Sequence, residues 1–343
     1  MVHVTKEGVI LQKTHLGFEN EAVLNPGVIS FDGITHIFYR AVRKGNYSTI
    51  GHCKLDGPLK VMERLETPVL FPQFDYESQG VEDPRIVKID DLYFMSYTAY
   101  DMVNALGALA TSRDLVHFDK HGIITPRISY ADFKHLAECQ GKVNEKYFRI
   151  NRQYEDMIKF DERVFVWDKN IIFYPRRIDG KIVFMHRIKP GIQIVKINAL
   201  SDLTKEFWDD YFLHFNEHIL MDPIFEHEAS YIGGGCPPIE TEAGWLLIYH
   251  GVHDAPSGFI YSACAALFDI HDPCKELARL PYPLFAPEYD YELSGEVSNV
   301  CFPTGHSIYD DTLYIYYGAA DEQIAVASVR LPELINELLA HKK

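Results

Sequence analysis

Five times along this chain a polar turn is followed by an aromatic strand, and the five copies divide almost its whole length. The turns are Phe31-Asp32-Gly33, Ile89-Asp90-Asp91, Ile178-Asp179-Gly180, Glu242-Ala243-Gly244 and Tyr309-Asp310-Asp311. The strands after them read ITHIFYRA, LYFMSYTAY, KIVFMHRI, WLLIYHGV and TLYIYYGAAD. Such a turn between strand-like runs is the strongest short-range hairpin signal. Hairpins recurring at roughly 60 to 90 residues point to radial repetition, which spares an all-β chain long exposed edges. The expected fold is all-β, a five-bladed β-propeller forming one domain over residues 1–343. Its blades fall at approximately 20–60, 78–128, 165–205, 230–275 and 295–331. A propeller has an axis, and polar residues at equivalent strand positions converge on it.

Two stretches break the pattern. Residues 130–154 space Phe133, Leu136 and Ala137 as a helix does, which predicts an inserted helix and loop between the second and third blades. Residues 332–343 open on a proline suited to a first helical turn and place Leu334, Ile335, Leu338 and Leu339 on one face, predicting an outer C-terminal helix.

Composition narrows the function. Acidic residues outnumber basic ones by 49 to 33, so the net charge of -16 repels phosphate backbones and argues against nucleic acid. No apolar run approaches the length of a membrane span, so no membrane partner is expected. Six cysteines without a C-x-x-C pair read as buried free thiols in a reducing compartment, neither a disulfide frame nor a zinc site. The start shows no secretory pattern, so the expected location is cytoplasmic, with the periplasm as the alternative had a leader been removed. Homo-oligomerisation is left open.

The sharpest local motif is GVEDPRI, residues 80–86. Side chains of adjacent strand residues point to opposite faces, so only one of Glu82 and Asp83 is expected to face the axis, the other bracing Arg85 or a backbone amide. An acid there suits general acid work if burial raises its pKa. The bland alternative is an Asp-Pro turn with an Asp–Arg ion pair. A second cluster, FEHEASYIGGGCPP, sets Glu226 and Glu228 on one side of an extended segment before three glycines, where either could act as a base toward water. Against it stands a solvated acidic loop. No metal is expected, since His227 has no companion histidine at ligand spacing. Late on the hairpin strands lie Arg40, His186, Arg187, His250 and Asp321, interleaved with tyrosines. Hydrogen-bonding groups between aromatic rings suit a sugar, although any one of them alone reads as structural.

EDPRIVKI with LYFMSYTAY, GALATSRDL, GGGCPPIETEAGWLLIYHGV and IYYGAADEQIAVAS together resembles glycoside hydrolase family 130, from about Asn25 to Ser328. The resemblance implies a five-bladed propeller acting on β-mannosides, as a phosphorylase or a β-1,2-mannosidase, with no cofactor. It also implies that Asp83 is the catalytic acid, that Asn25, Arg40 and Asp321 hold the terminal mannose, and that His250 lies near the site. Two departures bear on the chemistry. Family phosphorylases carry an arginine where this chain has Leu106, and a lysine where it has Tyr231, while Lys169 remains from the basic set. Glu226 and Glu228 near a phosphate would each cost roughly 4 kcal/mol per charge pair at about 4 Å and an effective dielectric near 20.

The first expectation is therefore an inverting glycosidase that releases mannose from a mannose-containing oligosaccharide, with β-1,2 as the expected linkage. Its acid is Asp83 and its base Glu228 or Glu226. Substrate-binding candidates are Asn25, Arg40, Arg85, Lys169, His186, Arg187, Tyr231, His250 and Asp321. The alternative is a β-mannoside phosphorylase with inorganic phosphate as co-substrate, Lys169 and His250 belonging to the anion site. A non-catalytic carbohydrate-binding propeller is the third reading.

Overall fold

The computed structural model of the chain describes residues 2–139, 141–157, 164–256 and 258–342. All five expected turns join antiparallel strand pairs, and each pair grows into a unit of four strands, or five in the fourth. The first unit runs Ala22–Phe31, Ile34–Arg43, Tyr47–Asp56 and Lys60–Arg64. The second is Gly80–Ile89, Leu92–Tyr100, Ala105–Ser112 and Asp119–Ile123. The third is Lys169–Phe173, Ile182–Arg187, Ile192–Ile197 and Ile219–Met221. In the fourth, Tyr231–Gly234 and Ile239–Thr241 both pair with the long strand Gly244–Ala255, followed by Gly258–Phe268 and Glu276–Arg279. The fifth, Cys301–Tyr309, Thr312–Ala319 and Gln323–Arg330, takes its outer strand, Thr5–Leu11, from the other end of the chain. That strand was not expected, because a partner so distant in sequence leaves no turn signal.

The sheets are open. A parallel bridge between Ser48 and Gly80 joins the first and second units into one sheet; isolated parallel bridges pair Leu106 with Asp168 and Tyr261 with Val300, and the remaining sheets are otherwise separate. The pairing thus establishes a mostly β fold; a closed five-bladed ring goes beyond it. Side-chain period explains the packing. Along Ile34–Arg43, Ile37, Tyr39 and Ala41 pack with Tyr316, Ile324 and Val326 of the fifth unit, while Phe38 packs with Met95 and Tyr97 of the second. The second and third units share Phe94, Phe173 and Phe184. Met185 of the third meets Trp245 and Tyr249 of the fourth, and Ile248 of the fourth meets Ile315 of the fifth. Both faces of these sheets are therefore buried, which is why the strands read as nearly continuous apolar runs.

The first strands of the units also touch. A Cβ on Gly27 would stand 2.9 Å from Pro84 O, so glycine is what permits the first and second units to approach this closely. Arg85 Nε donates to Gly235 O (2.7 Å), and Cys236 Sγ lies 3.3 Å from Gly305 O.

The insertion holds two helices, Tyr130–Glu138 and Lys146–Met157, where one had been expected. Ser129 caps the first by accepting from Asp132 N. A further helix, Lys205–Leu213, capped by Thr204, sends Trp208 and Phe212 into the same aromatic core as Phe133. The C-terminal helix is present as Leu331–Ala340, with Leu334 and Leu338 buried and Pro332 in its first turn; Lys343 lies outside the described residues. Of the six free cysteines, Cys139 and Cys274 are exposed, contrary to the expectation that all are buried. Among the described residues, no helix is long and apolar enough to cross a membrane, and no group of three or more His, Cys, Asp or Glu could hold a metal ion.

Candidate active site

Alternation fails where it matters. The pairing of Gly80–Ile89 with its neighbour skips between Glu82 and Arg85, and Asp83 sits in this bulge at φ 50°. Pro84 cannot donate to the ladder, so a bulge suits it. The bulge turns both carboxylates, expected on opposite faces, toward Arg40: Nη2 lies 2.8 Å from Glu82 and Nη1 3.8 Å from Asp83. Asn25, in a matching bulge at φ 50°, donates from Nδ2 to Asp83 Oδ1 (2.7 Å). Lys169 Nζ reaches Glu82 at 3.8 Å from above the Trp167 ring.

Burial pushes the Asp83 carboxyl up, but Arg40, Lys169, Arg85 and the Asn25 amide outweigh it and hold it below the usual range. The raised pKa expected for an acid therefore falls elsewhere. Burial lifts Asp321 to about 6, the charges of Asp83 and Glu82 adding to the effect while Arg40 opposes it. Five of the expected site residues, Asn25, Arg40, Asp83, Lys169 and Asp321, thus act on one another.

Beside these carboxylates lies a group that is cationic. Arg187 Nη1 is 3.3 Å from His250 Nε2, and its guanidinium stands 5.5 Å from the centre of the Tyr231 ring. Lys189 Nζ lies 3.9 Å over the same ring. Burial, aided by Arg187 and Lys169, pulls Lys189 down to about 7. Burial also drives His250 well below the ordinary histidine value, with Arg187, Arg85 and Lys189 adding to it, so the imidazole is neutral. Among the described residues, no carboxylate comes within ion-pair distance of Arg85, Arg187 or Lys189. Arg85 instead spends its donors on the backbone carbonyls of Gly235, Asp83 and Pro84, which replaces the expected Asp–Arg pair; its Nη2, like Arg187 Nε and His250 Nδ1, is buried without a partner. Unpaired buried donors on one surface suit an anion. Lys189 was not anticipated, although its spacing of two from Arg187 puts the pair on one side of an extended segment.

His186 is not part of this surface. It is fully buried, with Nδ1 2.8 Å from Asp168 and Nε2 2.8 Å from Tyr211 OH. Its place six residues after the turn matches Tyr39, Tyr97 and Tyr317 in three other units, while in the fourth the corresponding tyrosine, Tyr249, comes one residue earlier. Each of those tyrosines donates to a fully buried glutamate: Glu19, Glu77, Glu228 and Glu292 respectively. Each glutamate also meets a cation, Arg64, Lys120, Arg279 or Lys6.

Glu228 is thus the fourth unit's copy of a repeated brace. It accepts further from Ile224 N (2.9 Å) and Phe225 N (3.3 Å), sharing no partner with Asp83. Glu226 is exposed on the same short turn. Among the described residues, neither of these carboxylates shares a hydrogen-bond or ion-pair partner with Asp83.

The site thus sets a buried carboxylate group beside an unpaired cationic surface on a mostly β fold, and comparison with known proteins gives its class as carbohydrate-active. The chain belongs to glycoside hydrolase family 130: the family model, described as beta-1,4-mannooligosaccharide phosphorylase, matches residues 7–339. It is 32% identical over 336 residues to a 1,2-beta-oligomannan phosphorylase of Thermoanaerobacter sp. (strain X514), covering 95% of this chain and 96% of that one. A beta-1,2-mannobiose phosphorylase of the same organism is 32% identical over 329 residues, 91% of each chain. Beta-1,2-mannobiose phosphorylase from Listeria innocua, solved with beta-1,2-mannobiose, superposes with a TM-score of 0.72 at 22% identity, covering 99% of this chain and 100% of that one. The family's phosphorylases need no cofactor, and phosphate is their co-substrate.

Proposed function

We propose that this chain is a β-mannoside phosphorylase acting on β-1,2 linkages, which replaces the hydrolytic reading made from the sequence. The observation that carries it is the surface of Arg187, Lys189 and neutral His250 around Tyr231, cationic and, among the described residues, with no carboxylate at ion-pair distance. Leu106 and Tyr231 had argued against an anion site because they stand where basic residues were expected. The cations come instead from the third unit, and Tyr231 serves as the face beneath them. The β-1,2 preference rests on the two Thermoanaerobacter relatives matched over nearly their full lengths.

The five units are read as blades around an axis. In support, each shares a core with the next, the fifth with the first, and their first strands meet at Gly27, Arg85, Gly235 and Gly305. On this reading Asn25, Arg40 and Asp321 hold the terminal mannosyl unit, with Asp83 at its glycosidic oxygen. Phosphate, seated on Arg187, Lys189 and His250, attacks C1 from the opposite face. The C1–O glycosidic bond breaks as the new C1–O bond to phosphate forms, and the leaving oxygen takes the proton held by the Asp83–Asp321 pair. Inversion gives α-mannose 1-phosphate and a shortened acceptor. Glu226 and Glu228 have no role in this route.

The test is incubation of the protein with β-1,2- and β-1,4-mannobiose, with and without phosphate, followed by product analysis. Mannose 1-phosphate from the β-1,2 substrate, formed only with phosphate, is expected. Free mannose released at the same rate without phosphate would restore hydrolysis.

A further inference from the structure

The segment that carries Arg187 and Lys189 is gripped from outside its own unit. Beyond Arg187 the strand gives way to Ile188, Lys189, Pro190 and Gly191. Such a connection has no ladder of its own, yet its carbonyl groups are taken up one by one, that of Pro190 by Ile232 N of the fourth unit (2.9 Å). Ile188 N donates to Gln193 Oε1 (2.6 Å), and Gln193 Nε2 returns a bond to Ile188 O (3.1 Å). The Lys189 carbonyl accepts from Asn151 Nδ2 (3.2 Å), on the inserted helix Lys146–Met157. Asn151 is buried, and the same amide donates to Tyr147 O (2.6 Å). Tyr147 closes the circuit: its hydroxyl accepts from Gln193 Nε2 (3.2 Å) and donates to Asp222 Oδ1 (2.7 Å). Gly191 is pressed against this hydroxyl so closely that a Cβ there would stand 2.2 Å from it and 2.6 Å from Asp222.

We infer that the inserted helix is a working part of the anion site, with Tyr147 and Asn151 as positioning residues that hold the Lys189 segment so that its ammonium stays over Tyr231. The inference rests on the phosphorolytic reading above. Its physical basis is the cost of the arrangement. Lys189 is surrounded by Arg187 and Lys169 and has no ion-pair partner among the described residues. An unpaired cation among cations moves away unless its backbone is fixed; Gln193 and Ile232 N hold the residues on either side, and the helix holds the Lys189 carbonyl itself. The ring of Tyr147 packs edge-on against Phe215 at 5.2 Å, tying the clamp to the aromatic core of the insertion.

Two variants of the full chain test this. Tyr147→Phe keeps the ring against Phe215 and removes the hydroxyl; Asn151→Leu keeps the volume and removes the donors. Each is expected to raise the KM for phosphate about tenfold, the effect of losing one well-placed hydrogen bond, while the KM for β-1,2-mannobiose stays within about twofold. Calorimetric titration with inorganic phosphate should show the same weakening in the absence of turnover. A merely structural role would alter the folded fraction and leave both KM values alone. Tyr147→Phe decides the matter if Asn151→Leu fails to fold. Phosphate-dependent turnover with an unchanged phosphate KM in Tyr147→Phe would overturn this inference alone. Wild-type turnover independent of phosphate would overturn the phosphorolytic reading and this inference with it.

Discussion

Lys189 Nζ stands 3.9 Å over the centre of the Tyr231 ring, with the Arg187 guanidinium 5.5 Å from the same centre. A ring face attracts a cation without neutralising it, so two positive charges can share a buried wall and still be available to a ligand. A carboxylate in Tyr231's place would satisfy the same cations and close the site to phosphate. The sign of the site is thus set by what Tyr231 lacks as much as by what Lys189 brings.

Lys189→Met removes an uncompensated, half-buried cation. The phosphate KM should rise by at least tenfold, while the melting temperature should rise by about 2–4 °C because desolvation of the ammonium is relieved. Thermal melts and initial rates on one preparation check both. The sign for pH follows from burial, which lowers Lys189 to about 7. The group is charged below that value and loses its charge above it, so phosphate affinity in the wild type should weaken as pH rises through about 7.

The Asp83–Asp321 pair should shape a different limb. Burial and the neighbouring carboxylates raise Asp321 to about 6. Its proton leaves as pH rises through that value, so, on the proposed route, kcat/KM for the mannoside at saturating phosphate should fall above about 6. In Asp321→Asn only Asp83 is left, held below the usual range by Arg40 and Lys169, and the limb should move to lower pH. An unmoved limb in that variant would show that Asp321 does not share the proton.

Glu228→Gln separates a brace from a base. The carboxylate is fully buried between Tyr249 and Arg279. Breaking such a pair costs about 3–5 kcal/mol, so the melting temperature should drop by roughly 5 °C or more. Phosphate-dependent turnover per folded molecule should persist. Its abolition in a well-folded variant would return Glu228 to the reaction.

Gly27→Ala probes the bulge that aims Asp83. The new Cβ meets Pro84 O at 2.9 Å and Arg85 Cα at 3.3 Å. The strand bearing Asp83 must shift by a few tenths of an ångström, and a catalytic group displaced by that order loses rate steeply. We expect kcat to fall by tenfold or more with the KM for phosphate nearly unchanged, measured by initial rates at saturating mannobiose.

Much of this was legible in the chain because turn chemistry is local. Asp32, Asp90, Asp179 and Asp310 adopt positive φ in their hairpins, and Asp and Asn tolerate it where branched residues do not. Counting from those turns also places Tyr39, Tyr97, His186 and Tyr317, so that Arg40 and Arg187, one residue later, face away from those cores; the fourth unit is one residue short, which puts Tyr249 in the core and His250 after it. The C-terminal helix showed itself through Pro332 and its apolar face.

The sequence by itself determined the repeat, the hairpins, the candidates Asp83, Arg40 and His250, and the family these motifs carry. Only the tertiary structure decided what each charge meets. A carboxylate beside a cation reads the same in a string whether it braces a sheet, as Glu228 does, or waits in a site, as Asp83 does; the difference is which strands, distant in sequence, close around it. The bulge at Asp83 overrode the period of two, the strand Thr5–Leu11 completed a unit more than 300 residues away, and the cations missing at Leu106 and Tyr231 arrived from Arg187 and Lys189. Periodicity is a property of neighbours along the chain, whereas electrostatics depends on neighbours in space.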